Sequence, residues 1–372
     1  MLELRLRDSS GESRKFTGVV REPSGYSENS LILGLRPGLV LFRRVEFVRG
    51  TTIRPPGCGA LGVPSSQTRF IETAAFLLSR HPGHRDIVFP YMTGRDLVET
   101  NGPTRWIIDL GQRDMLSAAA YSAAFALLQE RVMPDVLAKA ESEKLATGLE
   151  TTRWTRMAQR WWQFRDWMPG TVAAVNANAR YIVCPRVTKR ATFAFVSREI
   201  RPDMQLMVFA FDDDYSFGIL QSSAHWAWFV ANSSKLTERL RYTSESVFDT
   251  LPWPQGPTEK AIAAIAAAGC EVRRIRDENL PKLKGGLRAL YRTLELPGTN
   301  SLKDAHATLD AAVLAAYGFS ARDDLLAQLL ALNHQVAARI ESGVPVTAPG
   351  LPLPPEQQAP FITDDCIRPP LH

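Results

Sequence analysis

The hydrophobic positions of this 372-residue chain change their period from segment to segment, and each change predicts an element. Residues 1–60 read as strands and turns: apolar runs at 39–42 and 45–48 bracket Arg43 and Arg44, and the Pro/Gly cluster at 55–59 closes the segment. A short helix is expected over 69–78, followed by strands at 87–89 and 105–110. From 113 to 131 the helical period returns, with Leu116, Tyr121, Phe125 and Leu128 spaced to line one face. A second amphipathic helix spans 153–167, and Pro169 with Gly170 is expected to end it. Four β-rich pieces then follow at 181–184, 192–196, 206–211 and 215–220 before helix resumes over 223–231.

Phe248, Pro252, Trp253 and Pro254 mark a rigid boundary, since prolines interrupt regular structure. Beyond Pro257 the composition shifts to Ala, Leu and Arg, with helices expected at 258–279, 285–295, 301–317 and 320–341. The pattern therefore reads as an α+β chain, a mixed α/β domain followed by a small α-helical domain. Its divisions are 1–60 (β-rich), 61–254, 257–342 (helical) and 343–372, the last a Pro-rich segment expected to be extended.

Composition narrows the class. Apolar residues make up 45% and charged residues 22%, which argues against global disorder. The formal charge of +5 is too small by itself to imply a nucleic-acid partner. Four cysteines, Cys58, Cys184, Cys270 and Cys366, stand far apart and form no metal or disulfide framework, which fits a reducing, cytoplasmic setting. No apolar stretch reaches membrane-spanning length, so no membrane partner is expected.

Charge is segregated locally. Residues 151–201 hold ten basic side chains, among them Arg160, Arg186, Lys189 and Arg190, against two acids, Asp166 and Glu199. A surface opposing phosphates needs such a field, and arginine adds bidentate geometry toward phosphate or a guanine edge; the simpler alternative is balance by acids elsewhere in the fold. Trp154, Trp161 and Phe164, spaced for one helical face, read as core, and Trp162 as the surface member. A second polar stretch runs from Ser223 and His225 to Lys235, Thr237, Glu238, Arg239 and Arg241, side-chain types that bond phosphates and base edges. His225 has no neighbouring histidine or cysteine; it reads first as a packed histidine and second as a DNA contact. The triplet Asp212, Asp213 and Asp214 reads as a charged hairpin between two strands, with a divalent-cation site as the alternative.

Several short motifs, in order, carry a resemblance: residues 87–97 (Ile-Val-Phe-Pro-Tyr-Met-Thr-Gly-Arg-Asp-Leu), 105–109 (Arg-Trp-Ile-Ile-Asp), 160–164 (Arg-Trp-Trp-Gln-Phe), 185–189 (Pro-Arg-Val-Thr-Lys), 218–226 and 241–254. Together they resemble the carboxy-terminal half of MmeI-like adenine-specific DNA methyltransferases, over about 15–342. The resemblance implies target recognition followed by a helical region. The family's glycine-rich cofactor loop and Asn-Pro-Pro-Tyr/Phe catalytic motif do not occur here; Pro55-Pro56 is flanked by Arg54 and Gly57. It thus implies a chain without catalytic residues, metal or cofactor, with double-stranded DNA and a methyltransferase domain or subunit as partners and S-adenosylmethionine in that partner. By position, Arg186 and Lys189 are implied as DNA contacts with Thr188 beside them, and Lys235, Thr237, Glu238, Arg239 and Arg241 as the base-reading stretch. Phe248, Pro252, Trp253 and Pro254 are implied as the hinge between the two domains. A complete enzyme with an unrecognised active site, and a protein-binding scaffold, remain the alternative classes.

Overall fold

A computed structural model describes residues 3–7, 13–17, 74, 77–78, 82–164, 169–190, 192–236 and 239–369. The strands expected at 39–42 and 45–48 and the turn at 55–59 lie outside the described residues. So does most of the expected 69–78 helix, of which Ala74, Leu77 and Leu78 are described and helical. Near the amino terminus β1 (Glu3–Arg7) pairs antiparallel with β2 (Ser13–Thr17).

Two small sheets form the centre of the mixed region. In the first, β3 (Val88–Met92), followed in the chain by the short helix α1 (Gly94–Glu99), pairs antiparallel with β4 (Arg105–Ile108) and parallel with β8 (Arg201–Pro202). In the second, β5 (Arg180–Pro185) lies between β7 (Ala194–Ser197) and β9 (Leu206–Phe209), antiparallel to both. Every residue of β5 is buried, which explains its unbroken apolar run Tyr181–Cys184 where a half-exposed strand would alternate.

Several expectations are corrected. Residues 215–220 are not a strand but part of α7 (Asp214–Gln221), all of whose residues are buried. A helix buried on all sides loses its amphipathic period and cannot be told from a buried strand by pattern. The aspartate triplet is accordingly no hairpin: Asp213 caps the helix by accepting from the Ser216 amide at 2.6 Å. Pro169 starts α6 (Pro169–Ala177) rather than ending a helix, as its fixed φ and missing N–H allow in a first turn. The expected helix over 113–131 divides into α2 (Met115–Ala119) and α3 (Ser122–Arg131), which turns Leu116 to solvent at 85% exposure. The chain continues as α4 (Met133–Thr147), and the helix expected over 153–167 is only α5 (Arg153–Ala158) followed by turns. Trp162 is buried, with its indole N–H donating to the Arg113 carbonyl at 2.9 Å, because it sits in that turn and not on an outward helical face. Trp161 and Phe164 are buried and Trp154 half-buried.

Helices α2 to α5 close a separate small core with Ile87, Trp106, Ile108, Leu128, Val136 and Trp161. The main core is larger and does not divide at Pro254. It runs from Met92 and Tyr181 through Trp253 into α9 (Glu259–Asn279), α11 (Ser301–Tyr317) and α12 (Leu325–Glu341). Trp253 and Leu251 are fully buried in it, each such side chain contributing about 1.5–3 kcal/mol by leaving water. The helical region is the one expected: Thr258, Asn300 and Asp324 cap these three helices, and short α10 (Gly286–Arg292) lies between the first two. α7 meets α9 at two glycines, Gly218 and Gly269, where a Cβ on Gly269 would stand 3.5 Å from the Gly218 Cα.

Residues 343–369 hold two short 3-10 turns but are otherwise extended, and they pack back on the core. Ile367 bridges Val196 at the outer edge of β7, with its amide donating to Phe195 and its carbonyl accepting from Ser197, both at 2.9 Å. Beside this bridge Arg180 and Arg273 share Asp214 (2.8 and 2.6 Å) and Asp365 (3.0 and 2.6 Å). Burial alone would raise the Asp365 carboxyl; the hydrogen bond and charge of Arg273, with Thr363 and Arg180, outweigh it and hold the group far below the usual range.

Candidate nucleic-acid interface

A third sheet assembles residues that lie far apart in sequence. The chain leaves buried β5 at Arg186, whose amide donates to the Gln205 carbonyl at 2.7 Å and whose carbonyl accepts from the Tyr242 amide at 2.8 Å. These two bonds start β6 (Val187–Thr188) alongside β11 (Arg239–Arg241), with Thr188 opposite Leu240 and Val187 opposite Arg241. β10 (Ser234–Leu236) completes the sheet, pairing Ser234 with Arg241, Lys235 with Leu240 and Leu236 with Arg239.

The pleat sorts these residues, because neighbours along a strand take opposite faces. Leu240 packs against the main core, so the register puts its partner Thr188 on the core-side face. Arg241 and its partner Val187 take the opposite face, and Val187 is 40% exposed there. The side chains of residues 234–239 lie outside the described ones, as do Thr237 and Glu238 altogether; Arg241 is half-buried. Val187 is a member of this outer face that residue type did not single out, since an apolar residue flanked by Arg186 and Thr188 reads as facing the core.

The floor beneath the sheet is rigid. His225 is 1% exposed; its Nδ1–H donates to the Leu220 carbonyl at 2.6 Å, which leaves Nε2 to accept from the Tyr242 hydroxyl at 2.9 Å. Burial pushes this imidazole down to about 4. With both nitrogens engaged, the reading of His225 as a DNA contact is corrected: it is a core residue that holds the residue after β11. Ser223 also faces inward, its amide donating to Asp310 of α11 at 2.7 Å, which turns the first residue of α8 (Ser223–Asn232) toward the helical region.

The basic segment separates into distinct environments. Arg180 and Arg201 are buried beside carboxylates, the latter 3.7 Å from Asp109, so the sequence count overstates the surface field. Arg186 is 8% exposed, set into the base of the sheet, and Lys189 is exposed just past β6. Arg190 is committed within the fold: one guanidinium N–H donates to the Tyr291 carbonyl at 2.9 Å and another to Glu295. Its amide meets the Thr188 hydroxyl at 3.1 Å, and that hydroxyl donates back to the Arg190 carbonyl. Arg160 is exposed in the turn that follows α5, whose exposed arginines are Arg153 and Arg156. The structure thus brings together Arg186, Thr188, Lys189, Lys235, Arg239 and Arg241, and leaves Arg160, Ser223 and His225 elsewhere. Among the described residues no group of three His, Cys, Asp or Glu side chains could hold a metal ion, and no helix is long and apolar enough to cross a membrane.

Residues 70–255, half of the chain, match the family model described as MmeI, target recognition domain. The chain is 29% identical over 220 residues to DNA methyltransferase A of Bacillus subtilis (strain 168), which covers 57% of this chain and 23% of that protein. Its fold is similar to the solved structure of the Type IIL restriction-modification enzyme MmeI in complex with DNA: TM-score 0.56 at 20% identity, over 78% of this chain and 38% of that one. The chain therefore spans less than half the length of either relative.

Proposed function

Because this chain belongs to the family described as MmeI, target recognition domain, we propose that it reads a short site in double-stranded DNA for an adenine-specific methyltransferase or restriction-modification system. The methyl transfer itself, and the S-adenosylmethionine it consumes, belong in this reading to a separate catalytic domain or subunit acting in the cytoplasm. The recognition role falls to 61–254, and 257–342 supports it.

The observation that carries the reading is the three-stranded sheet that joins β6 to β10 and β11. A two- or three-stranded ribbon can enter the major groove, where base edges present distinct donor and acceptor patterns. Its outer face holds Arg241, Arg239 lies on the same strand, and Lys189 stands at its rim. Lys189 then positions the backbone through phosphate, while Arg241 and Arg239 read base edges.

Salt titration of binding to cognate and scrambled duplexes tests this assignment, the cognate first identified from the methylation pattern of the reconstituted system. Lys189→Ala should weaken both duplexes alike and lower the salt slope by roughly one unit. Arg241→Ala should cost about 1–3 kcal/mol on the cognate alone. Equal losses on both duplexes for Arg241→Ala would remove its reading role. The chain alone, given duplex and labelled S-adenosylmethionine, should transfer no methyl group.

A further inference from the structure

Arg190 stands next to Lys189 and carries the same charge, yet its guanidinium bonds run to the helical region, one part-buried and one an exposed ion pair. The guanidinium bonds the Tyr291 carbonyl near the end of α10 and the Glu295 carboxylate just beyond it, across 101 and 105 residues of sequence. A cation on the last carbonyls of a helix is also favoured by the helix dipole. Three residues on, the chain is held a second time, at Phe193. Arg276 of α9 is 3% exposed and donates to the Phe193 carbonyl at 2.7 Å and to the Gln221 side-chain oxygen at 2.6 Å, and that same oxygen accepts from the Phe193 amide at 3.0 Å.

Tyr291 joins the two grips. Its carbonyl takes Arg190, and its hydroxyl accepts from Arg276 and donates to His306 Nε2 at 3.0 Å. Burial, with the nearby Arg276 charge, pushes His306 down to about 3, so a neutral imidazole is there to accept. The helical region therefore holds the chain at Arg190 and again at Phe193, three residues further on.

We infer that Arg190, Arg276 and Tyr291 are positioning residues: they clamp the β6 end of the recognition sheet to the helical region and so set where Lys189 and Thr188 stand. The inference rests on the recognition reading of that sheet, and it removes Arg190 from the DNA contacts. A buried arginine such as Arg276, whose two terminal nitrogens meet neutral acceptors while Nε is left without a partner, costs desolvation that packing alone would not require, which suits a device that fixes one geometry. The helical region thereby becomes a determinant of selectivity without touching a base.

The test uses the full chain and compares Arg190→Ala, Arg190→Lys, Glu295→Ala and Tyr291→Phe. Amide exchange is followed in β6, β11 and residue 242 of the free protein, and salt titration on duplex DNA follows separately. Arg190→Lys discriminates most sharply, because lysine keeps a phosphate contact but cannot reach two acceptors with a planar fork. The clamp predicts about tenfold faster exchange in those strands for both Arg190 variants, the weight of one hydrogen bond from a charged group. Glu295→Ala should move in the same direction, and Tyr291→Phe should loosen Phe193 while sparing β6, since it keeps the carbonyl that holds Arg190. The salt slope should stay at the wild-type value throughout. Unchanged exchange in Arg190→Ala and Arg190→Lys, with a lowered slope for the alanine variant and tighter binding for Glu295→Ala, would make Arg190 a phosphate contact and overturn the clamp. Exchange is read without DNA, so a wild-type chain that binds no duplex would sink the recognition reading while the exchange result still decides the clamp.

Discussion

Gly218 lies where α7 crosses α9, and adding one methyl group there should be costly although alanine is the better helix former. A Cβ at this position would stand 2.5 Å from Ile265 Cγ2, 3.0 Å from the Ile265 carbonyl oxygen and 3.3 Å from Leu309 Cδ1. Ordinary carbon contacts sit at about 3.5–4.0 Å, so the Ile265 methyl must retreat by roughly 1 Å in a side chain that is fully buried. The carbonyl cannot rotate away, because it belongs to the helix ladder of α9. Relief therefore requires the two helices to separate, which loosens contacts along both. Overpacking of this kind costs about 1–3 kcal/mol, and the gain in helix propensity returns at most about 1 kcal/mol. Gly218→Ala should lose about 1–2 kcal/mol net, read in urea as a lower midpoint at unchanged m. Gly102→Ala, where a Cβ meets nothing within 4 Å, is the control and should be neutral or slightly stabilising. A Gly218→Ala midpoint equal to wild type, or above it, would show that the crossing has slack and refute the reasoning.

Two further outcomes follow from buried charge. Asp365→Asn should cost about 1–3 kcal/mol at neutral pH by weakening its bonds to Arg180 and Arg273; because the folded carboxyl is held below its unfolded value, the loss relative to wild type should shrink as pH falls below about 4, and a pH-independent difference would contradict the ion-pair account. The His225 imidazole is depressed in the fold, so its contribution is complete above the unfolded value of about 6.5 and drains away as pH falls toward about 4. His225→Phe should flatten the acid limb of stability in that window by up to about 1.4 kcal/mol per pH unit, and parallel limbs for the two proteins would show that His225 titrates normally.

What the pattern of residues revealed depended on how much water each element meets. α9, α11 and α12 each keep one polar face, and their spans are readable from composition and period. α7 meets no water and was misread as a strand, although Asp213 three residues before Ser216 is a helix-start signal. Trp162 was misplaced because its environment is set by a turn and by Arg113, 49 residues away. The candidate interface was half legible. Residue type singles out Lys189 and Arg241 and the family resemblance adds Thr188, but strand register alone could say that β6 and β11 adjoin, and no local pattern encodes a pairing across fifty residues. Arg190 shows the converse: its charge made it a contact by composition, while its acceptors lie a hundred residues downstream.

The bridge of Ile367 to Val196, with Asp365 between Arg180 and Arg273, also has a temporal meaning. Arg180 and Thr363 are 183 residues apart, so at about 5–20 residues per second a ribosome needs roughly 10–40 s to deliver the second after the first. Through that interval β5 exists without the carboxylate and the strand edge that complete its surroundings, and Arg180 must stay hydrated or share Asp214 with Arg273. The centre of the molecule is thus made early and sealed late, and a nascent chain stalled before residue 363 would expose to cellular proteases the segment that the finished protein guards best.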